Sequence, residues 1–107
     1  MDLLIKPLSI RADICSTFLS KAKGFMFSFS NKPKIFIFKK EKKVGIHMLF
    51  VFKKLIIVWM DKNKRIIEVN KALPFFFNHS NKAKYILEMP YSEKTLKKLL
   101  KLKKLTF

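Results

Sequence analysis

The apolar positions of this chain fall mainly in short runs with a period of two. In KIFIFK, Ile35 and Ile37 point one way and Phe36 and Phe38 the other, so one face of that strand must find a second layer. In KYILEM, Tyr85, Leu87 and Met89 alternate with Ile86 and Glu88. Between these, GIHMLFVFKKLIIVWMD joins two apolar runs through Lys53 and Lys54. A membrane helix needs about 20 apolar residues and would carry this lysine pair near its middle at about 2.5 to 3.5 kcal/mol each. A buried helix would have its stripe broken by the pair, and Val51, Phe52, Ile56, Ile57, Val58 and Trp59 are residues that favour strands. The run therefore predicts two strands, His47 to Phe52 and Leu55 to Met60, connected at the lysines. DKNKR then suits a turn and RIIEVN a further strand, which makes a meander.

Two short helices are expected beside these strands. One runs from about Ser16 to Lys23, with Ser16 as N-cap, Phe18, Leu19 and Ala22 on one face, and Gly24 just past the end. The other begins after Pro90, capped by Ser92, with Glu93 near the positive end of the helix dipole and Leu96, Leu99 and Leu100 on its buried face. Leu105 falls about opposite Leu96 at 100° per residue, so the last residues, KLTF, read as a strand. With the N-terminal LLIKPLSI the count is five to seven strands. The expected fold is a single β-rich α+β domain spanning residues 1–107, a half-open, barrel-like antiparallel or mixed sheet with one or two short helices.

Composition adjusts this picture in two places. Of 107 residues, 24 are Lys or Arg against 7 Asp or Glu, a net charge of +17, and such a surface gains affinity for a polyanion by releasing its counterions. Only Arg11 and Arg65 are arginine, however, whereas phosphate recognition tends to recruit the planar guanidinium; abundant Lys, Phe, Ile and Asn are also what AT-rich coding produces. With one cysteine, Cys15, no intramolecular disulfide and no cysteine-based zinc site can form. The N-terminal MDLLIKPLSIRADICSTF carries Asp2 and Pro7 and lacks a long uncharged stretch, so no signal peptide is read and a cytoplasmic chain without a transmembrane segment is expected.

The order of motifs resembles the prokaryotic family named domain of unknown function 192. AKGFMF at residues 22–27 is similar to the family's A-x-G-L-M-F segment, GIHMLFVF to the archaeal I-H-x-x-F-M pattern, and VWMDKNKRIIEV to its V-F-L-D-x-x-G-x-V-V-x-V run. ALPF at residues 72–75 and AKYILEMP at 83–90 match the two blocks that follow. The resemblance implies a small β-rich α+β domain whose strands curl into a half-open barrel; it supplies no reaction. The chain departs from the family pattern where Ser28 replaces an Arg, Lys54, Leu55 and Ile56 replace Pro-Ile-Asp, Lys64 replaces a turn glycine, and Leu102 and Lys103 replace Gly-Asp. If that Arg and those Asp positions line a site, this member lacks it.

No nucleophile and base pair, metal constellation or glycine-rich phosphate loop is visible, so a non-enzyme without cofactor or metal is expected. His47 and His79 are far apart in sequence, His79 in an expected loop. Asp61 suits an Asx turn, and Glu68 and Glu88 occupy outward positions of their strands; a dyad of Asp61 with Glu88 is the acid–base alternative. Met26, His47, Met48 and Phe50 are the candidate lining of an apolar pocket for a small ligand or a partner's side chain. The alternative partner is nucleic acid, held by Lys39, Lys40, Lys42 and Lys43 with Lys97, Lys98, Lys101 and Lys103, and with exposed Phe or Tyr among them.

Overall fold

The computed structural model describes residues 2–15, 32–47, 54–73 and 78–107. Six strands form a single mixed sheet in the order β1-β2-β3-β6-β4-β5: β1 Asp2–Ile5, β2 Ile10–Cys15, β3 Lys34–His47, β4 Leu55–Met60, β5 Ile66–Ala72 and β6 Asn78–Pro90, followed by helix α1, Glu93–Leu99. All neighbours are antiparallel except β2 and β3. A parallel pair requires a crossover of a dozen or more residues, and segment 16–33 is long enough to make it. The helix expected at Ser16 to Lys23 lies in that segment, outside the described residues.

The expected alternation sorts the core. Ile35, Ile56, Val58, Met60, Leu87 and Met89 are buried on one face with Leu99 of α1 and Leu105 of the tail. Phe36, Phe38, Leu55, Ile57, Trp59, Ala72, Ala83 and Ile86 are buried together on the other. Every residue of β4 is buried, the pattern of an interior strand covered on both faces, and this explains why LIIVWM is uninterrupted by polar residues. Lys54 precedes it as an exposed connecting residue. The membrane-helix and buried-helix readings of that run are thereby excluded.

Several boundaries differ from expectation. LLIKPLSI is two strands rather than one: the chain turns at Lys6 to Ser9, with Ser9 at φ 55°, and RADIC returns as β2. Of the strand expected over His47 to Phe52 only His47 is described, as the last residue of β3, which continues through the lysine run; residues 48–53 lie outside the described set. The run stays extended because it pairs with β6, Lys42 with Ala83 and Lys43 with Lys82, after an irregularity in which Phe38 to Glu41 stand opposite Lys84 alone. His79 is accordingly in a strand and not a loop.

Helix α1 starts where expected, Ser92 accepting from Thr95 N at 3.4 Å. Leu99 is buried, but Leu100 is 66% exposed, in contrast to its expected place on the buried face. Leu100 caps the helix, and as the chain turns away Leu102 and Leu105 reach the core in its place. KLTF then makes two bridges instead of a full strand: Lys104 to Arg65 and Thr106 to Lys6. These tie the tail to the start of β5 and the end of β1, the two outer strands. Six flat strands would hold those edges about 24 Å apart, yet a tail lying between them sets them about 10 Å apart at this end, so the sheet is strongly curled. It stays open, since β1 and β5 are joined through the tail and not paired with each other.

This tether has a measurable weight. Leu105→Ala removes a side chain that is 1% exposed and should cost about 2–5 kcal/mol in urea unfolding, whereas Leu100→Ala, at 66% exposure, should stay within about 0.5 kcal/mol.

Candidate functional site

The irregularity in β3 shapes the site. Extra residues in one strand bend it and raise its twist, and the half of the β3–β6 ribbon beyond the bend folds back over the Phe36 face. Its position there is fixed by Val44 and Ala83, which pack into that cluster, and by His79, whose ring meets Trp59 edge-on at 5.6 Å between centroids. Glu68 sits directly across β4–β5 from Trp59. As a result, two polar residues on β5 and two on β6, each pair at i and i+2 on one face of its strand, come together over the only tryptophan.

Glu68 is the centre. Oε1 lies 2.7 Å from His79 Nε2 and accepts from Asn81 Nδ2 at 2.9 Å, while Oε2 accepts from Asn70 Nδ2 at 3.1 Å. Asn70 in turn accepts from the Trp59 indole at 2.6 Å. Burial is the largest influence on the Glu68 carboxyl and pushes its pKa up, but the hydrogen bonds from His79, Asn70 and Asn81 outweigh it and hold the group below its ordinary value. The cluster remains in contact with water, the side chains of His79 and Glu68 being 37% and 30% exposed. Among the described residues no third His, Cys, Asp or Glu joins them as a metal-ligand group.

A second acid lies on the same face. Glu88, expected to point outward, is only 6% exposed, on a stretch of that face where Ile57 and Ile86 are buried beside it. Burial pushes its carboxyl up to about 7, with the opposing pull of Lys34 too small to prevent it. Lys34 is its partner across β3–β6 and also lies 3.9 Å from Asp13, which pairs with Lys32 at 2.9 Å; Lys32 reaches Asp2 at 3.0 Å and Asp2 reaches Arg11 at 3.3 Å. Alternating charges thus run from the β1 edge to the sheet centre.

Asp61 does make the expected Asx turn, accepting from Asn63 N at 2.8 Å and Arg65 N at 3.0 Å. It is not brought to Glu88, which sits opposite Ile57, four positions before Asp61, so that dyad does not form. Of the expected pocket residues, Met26, Met48 and Phe50 lie outside the described set, as does the side chain of His47; the His47 backbone pairs with Asn78, next to His79. The eight candidate lysines, Lys39, Lys40, Lys42, Lys43, Lys97, Lys98, Lys101 and Lys103, are all exposed. Trp59, Phe36 and Phe38 are core residues. The sequence shows the members of the Glu68 cluster only singly, because strand pairing and the bend in β3 are what bring them together. The cluster's signal was the repeated spacing Glu68, Asn70 and His79, Asn81 inside β-type runs.

Comparison with known proteins places the fold. The model of the family DUF192, described as an uncharacterized ACR, matches residues 3–99. A UPF0127 protein of Thermococcus sibiricus is 29% identical over 84 residues, covering 75% of this chain and 54% of that protein, so the chain spans about half the length of this relative. A UPF0127 protein of Pyrococcus abyssi is 29% identical over 94 residues, covering 85% and 78%. Two crystal structures share the fold at a TM-score of 0.77. A candidate transcription regulator of Sinorhizobium meliloti has 16% identity and covers 91% of this chain and 81% of its own. A protein of unknown function from Novosphingobium aromaticivorans has 14% identity, covering 100% and 93%. Among the described residues no helix is long and apolar enough to cross a membrane.

The buried acid gives a pH signature. A carboxyl raised in the folded state contributes stability that is complete below its unfolded value and is lost as pH rises through the folded one. For Glu88 that window is 4.5 to about 7. Wild type should lose up to about 3 kcal/mol across it relative to Glu88→Gln, with the two curves meeting near pH 4.5. Urea unfolding at pH 4.5, 6 and 8 measures the difference.

Proposed function

Since this chain belongs to the DUF192 family, whose description assigns no reaction, we propose from its geometry that it is a non-catalytic binding module with the Glu68 cluster as its recognition surface. The observation that carries this reading is the hydrogen-bonded array of Glu68, His79, Asn70 and Asn81 laid over buried Trp59 and left partly open to water. The Glu68 carboxylate already accepts from two amides and faces the imidazole, and this lowers its proton affinity and makes it a weak general base. The same bonds fix its direction, as a recognition group requires. The fitting occupant is a small neutral ligand, or a partner's side chain, that offers a hydrogen-bond donor beside an apolar body. The strand end at His47, expected from sequence to line such a site, pairs beside His79 and belongs to the same ribbon tip.

A second reading, attraction of polyanions through a lysine-rich surface, is favoured by the net charge of +17 and by the exposure of all eight candidate lysines.

The lone tryptophan makes the first reading testable. In a fragment screen by NMR, binders at the cluster should shift the Trp59 indole N–H signal, and Glu68→Gln or His79→Ala should weaken them about tenfold, the worth of one hydrogen bond of about 1.4 kcal/mol. Fragments that bind without moving that signal, or that bind both variants as well as wild type, would remove the cluster from recognition.

A further inference from the structure

We propose that the end of the sheet where the β3 irregularity, the β4–β5 turn and the C-terminal tail meet is an interface for duplex nucleic acid that grips the phosphate backbone without reading sequence. This rests on the polyanion reading above and adds to it a place, a partner and a mode of contact.

Three separate ties build this end. The turn is fixed to the irregular stretch of β3 by Lys62 N donating to Glu41 Oε1 at 2.7 Å. It is fixed to the tail by Ile66 N donating to Lys103 O at 2.8 Å and Leu105 N to Lys64 O at 3.1 Å. The lysine run of β3 is held in register against β6, Lys43 beside Lys82. Each segment brings cations that sequence distance conceals. β3 contributes Lys39, Lys40, Lys42 and Lys43, all exposed. The turn adds Lys62 and Arg65, and the tail Lys103 and Lys104, again all exposed. The acids of these segments are engaged locally, Glu41 with the Lys62 amide and Asp61 with the turn it closes. Repulsion among so many cations is a standing cost, which a polyanion would relieve.

The geometry also selects the kind of nucleic acid. Stacking on single-stranded bases needs open aromatic faces. Among the described residues the rings at this end are Phe38, which is buried with Lys42 over it, and Tyr85 and Phe107, which are half-buried and pack edge to face at 5.1 Å, with the Lys64 ammonium 4.4 Å from the Phe107 centroid. They are occupied with each other and with lysine. Charges without stacking platforms fit the partner of highest phosphate density, and duplex DNA carries one negative charge per about 1.7 Å of axis. Lysine ammonium groups, as point charges, hold phosphate without the bidentate geometry that reads bases. Of the lysines expected from sequence, Lys103 and the four of β3 belong here, while Lys97 and Lys98 lie on α1.

Fluorescence anisotropy with a labelled 20-base-pair duplex of arbitrary sequence tests this, with a 20-nucleotide single strand and anionic phosphatidylserine vesicles as parallel arms. Wild type should bind the duplex at 50 mM salt and lose affinity roughly 500-fold by 200 mM, as expected for about five neutralised phosphates. Lys42→Glu with Lys43→Glu, and separately Lys62→Glu with Lys103→Glu, should each weaken duplex binding about tenfold or more at 100 mM. Lys97→Glu with Lys98→Glu, an equal change of charge on α1, should weaken it less than about threefold. No binding by wild type at 50 mM salt to duplex, single strand or vesicles would end the polyanion reading and this inference with it. Equal losses in all three pairs would leave the reading standing and overturn the interface, as would stronger binding to the single strand or vesicle binding without duplex binding.

Discussion

The backbone hydrogen bonds of the tail are the interaction on which the remaining structure depends. Lys6 and Thr106 exchange both N–H to O=C bonds, at 2.8 and 2.9 Å, and residues 103–105 bond the β4–β5 turn from the other side. Without them a curled six-stranded sheet would have two free edges and no fixed curvature. With them, Leu105 is carried into the core beside Leu99 and Ile5, and the start of β5 is anchored. The bonds are of ordinary strength, each worth about 1 kcal/mol net. Their leverage comes from location, since they join the segments most distant in the sheet.

Polar chemistry collects on the opposite face as a consequence. Among the described residues, the face that meets α1 and the tail buries Ile, Leu, Val, Ala and Met side chains and no charged group. The Phe36 face receives the bent ribbon, and with it Glu68, His79, Asn70, Asn81 and the buried Glu88. The two acids there have opposite fates for one reason. Glu68 has amide donors and an imidazole to hold its charge and stays ionised; at Glu88 the opposing pull of Lys34 is the smaller influence, and burial prevails.

Much of this fold was legible in the sequence where the hydrophobic period was strict. LIIVWM, KIFIFK and KYILEM became β4, the first half of β3 and the second half of β6, with the alternation of Ile35 and Phe36 sorting into the two core clusters as expected, and Ser92 and Asp61 made the cap and turn their side chains allow. Legibility failed where tertiary pairing overrode local pattern. KKEKKVG has no apolar period and is a strand only because β6 lies beside it. Glu88 alternates like a surface residue and is buried because of what the fold places on that face. The Glu68 cluster joins residues from β4, β5 and β6 through a bend that no local spacing encodes, although the i, i+2 polar pairs were visible. The basic end likewise combines a run that sequence made obvious with a turn that Glu41 holds to it and a tail that the tether brings to the turn.

Native-state hydrogen exchange tests the tether most directly, because the amides of Lys6, Ile66, Leu105 and Thr106 are its donors. If the tail holds the curled sheet together, these four should exchange only through global opening, with the same free energy and urea dependence as the amides of β4. Exchange of the four by local fraying, several kcal/mol easier than that of β4 and insensitive to urea, would show that the sheet holds its curvature without the tail and would contradict the account.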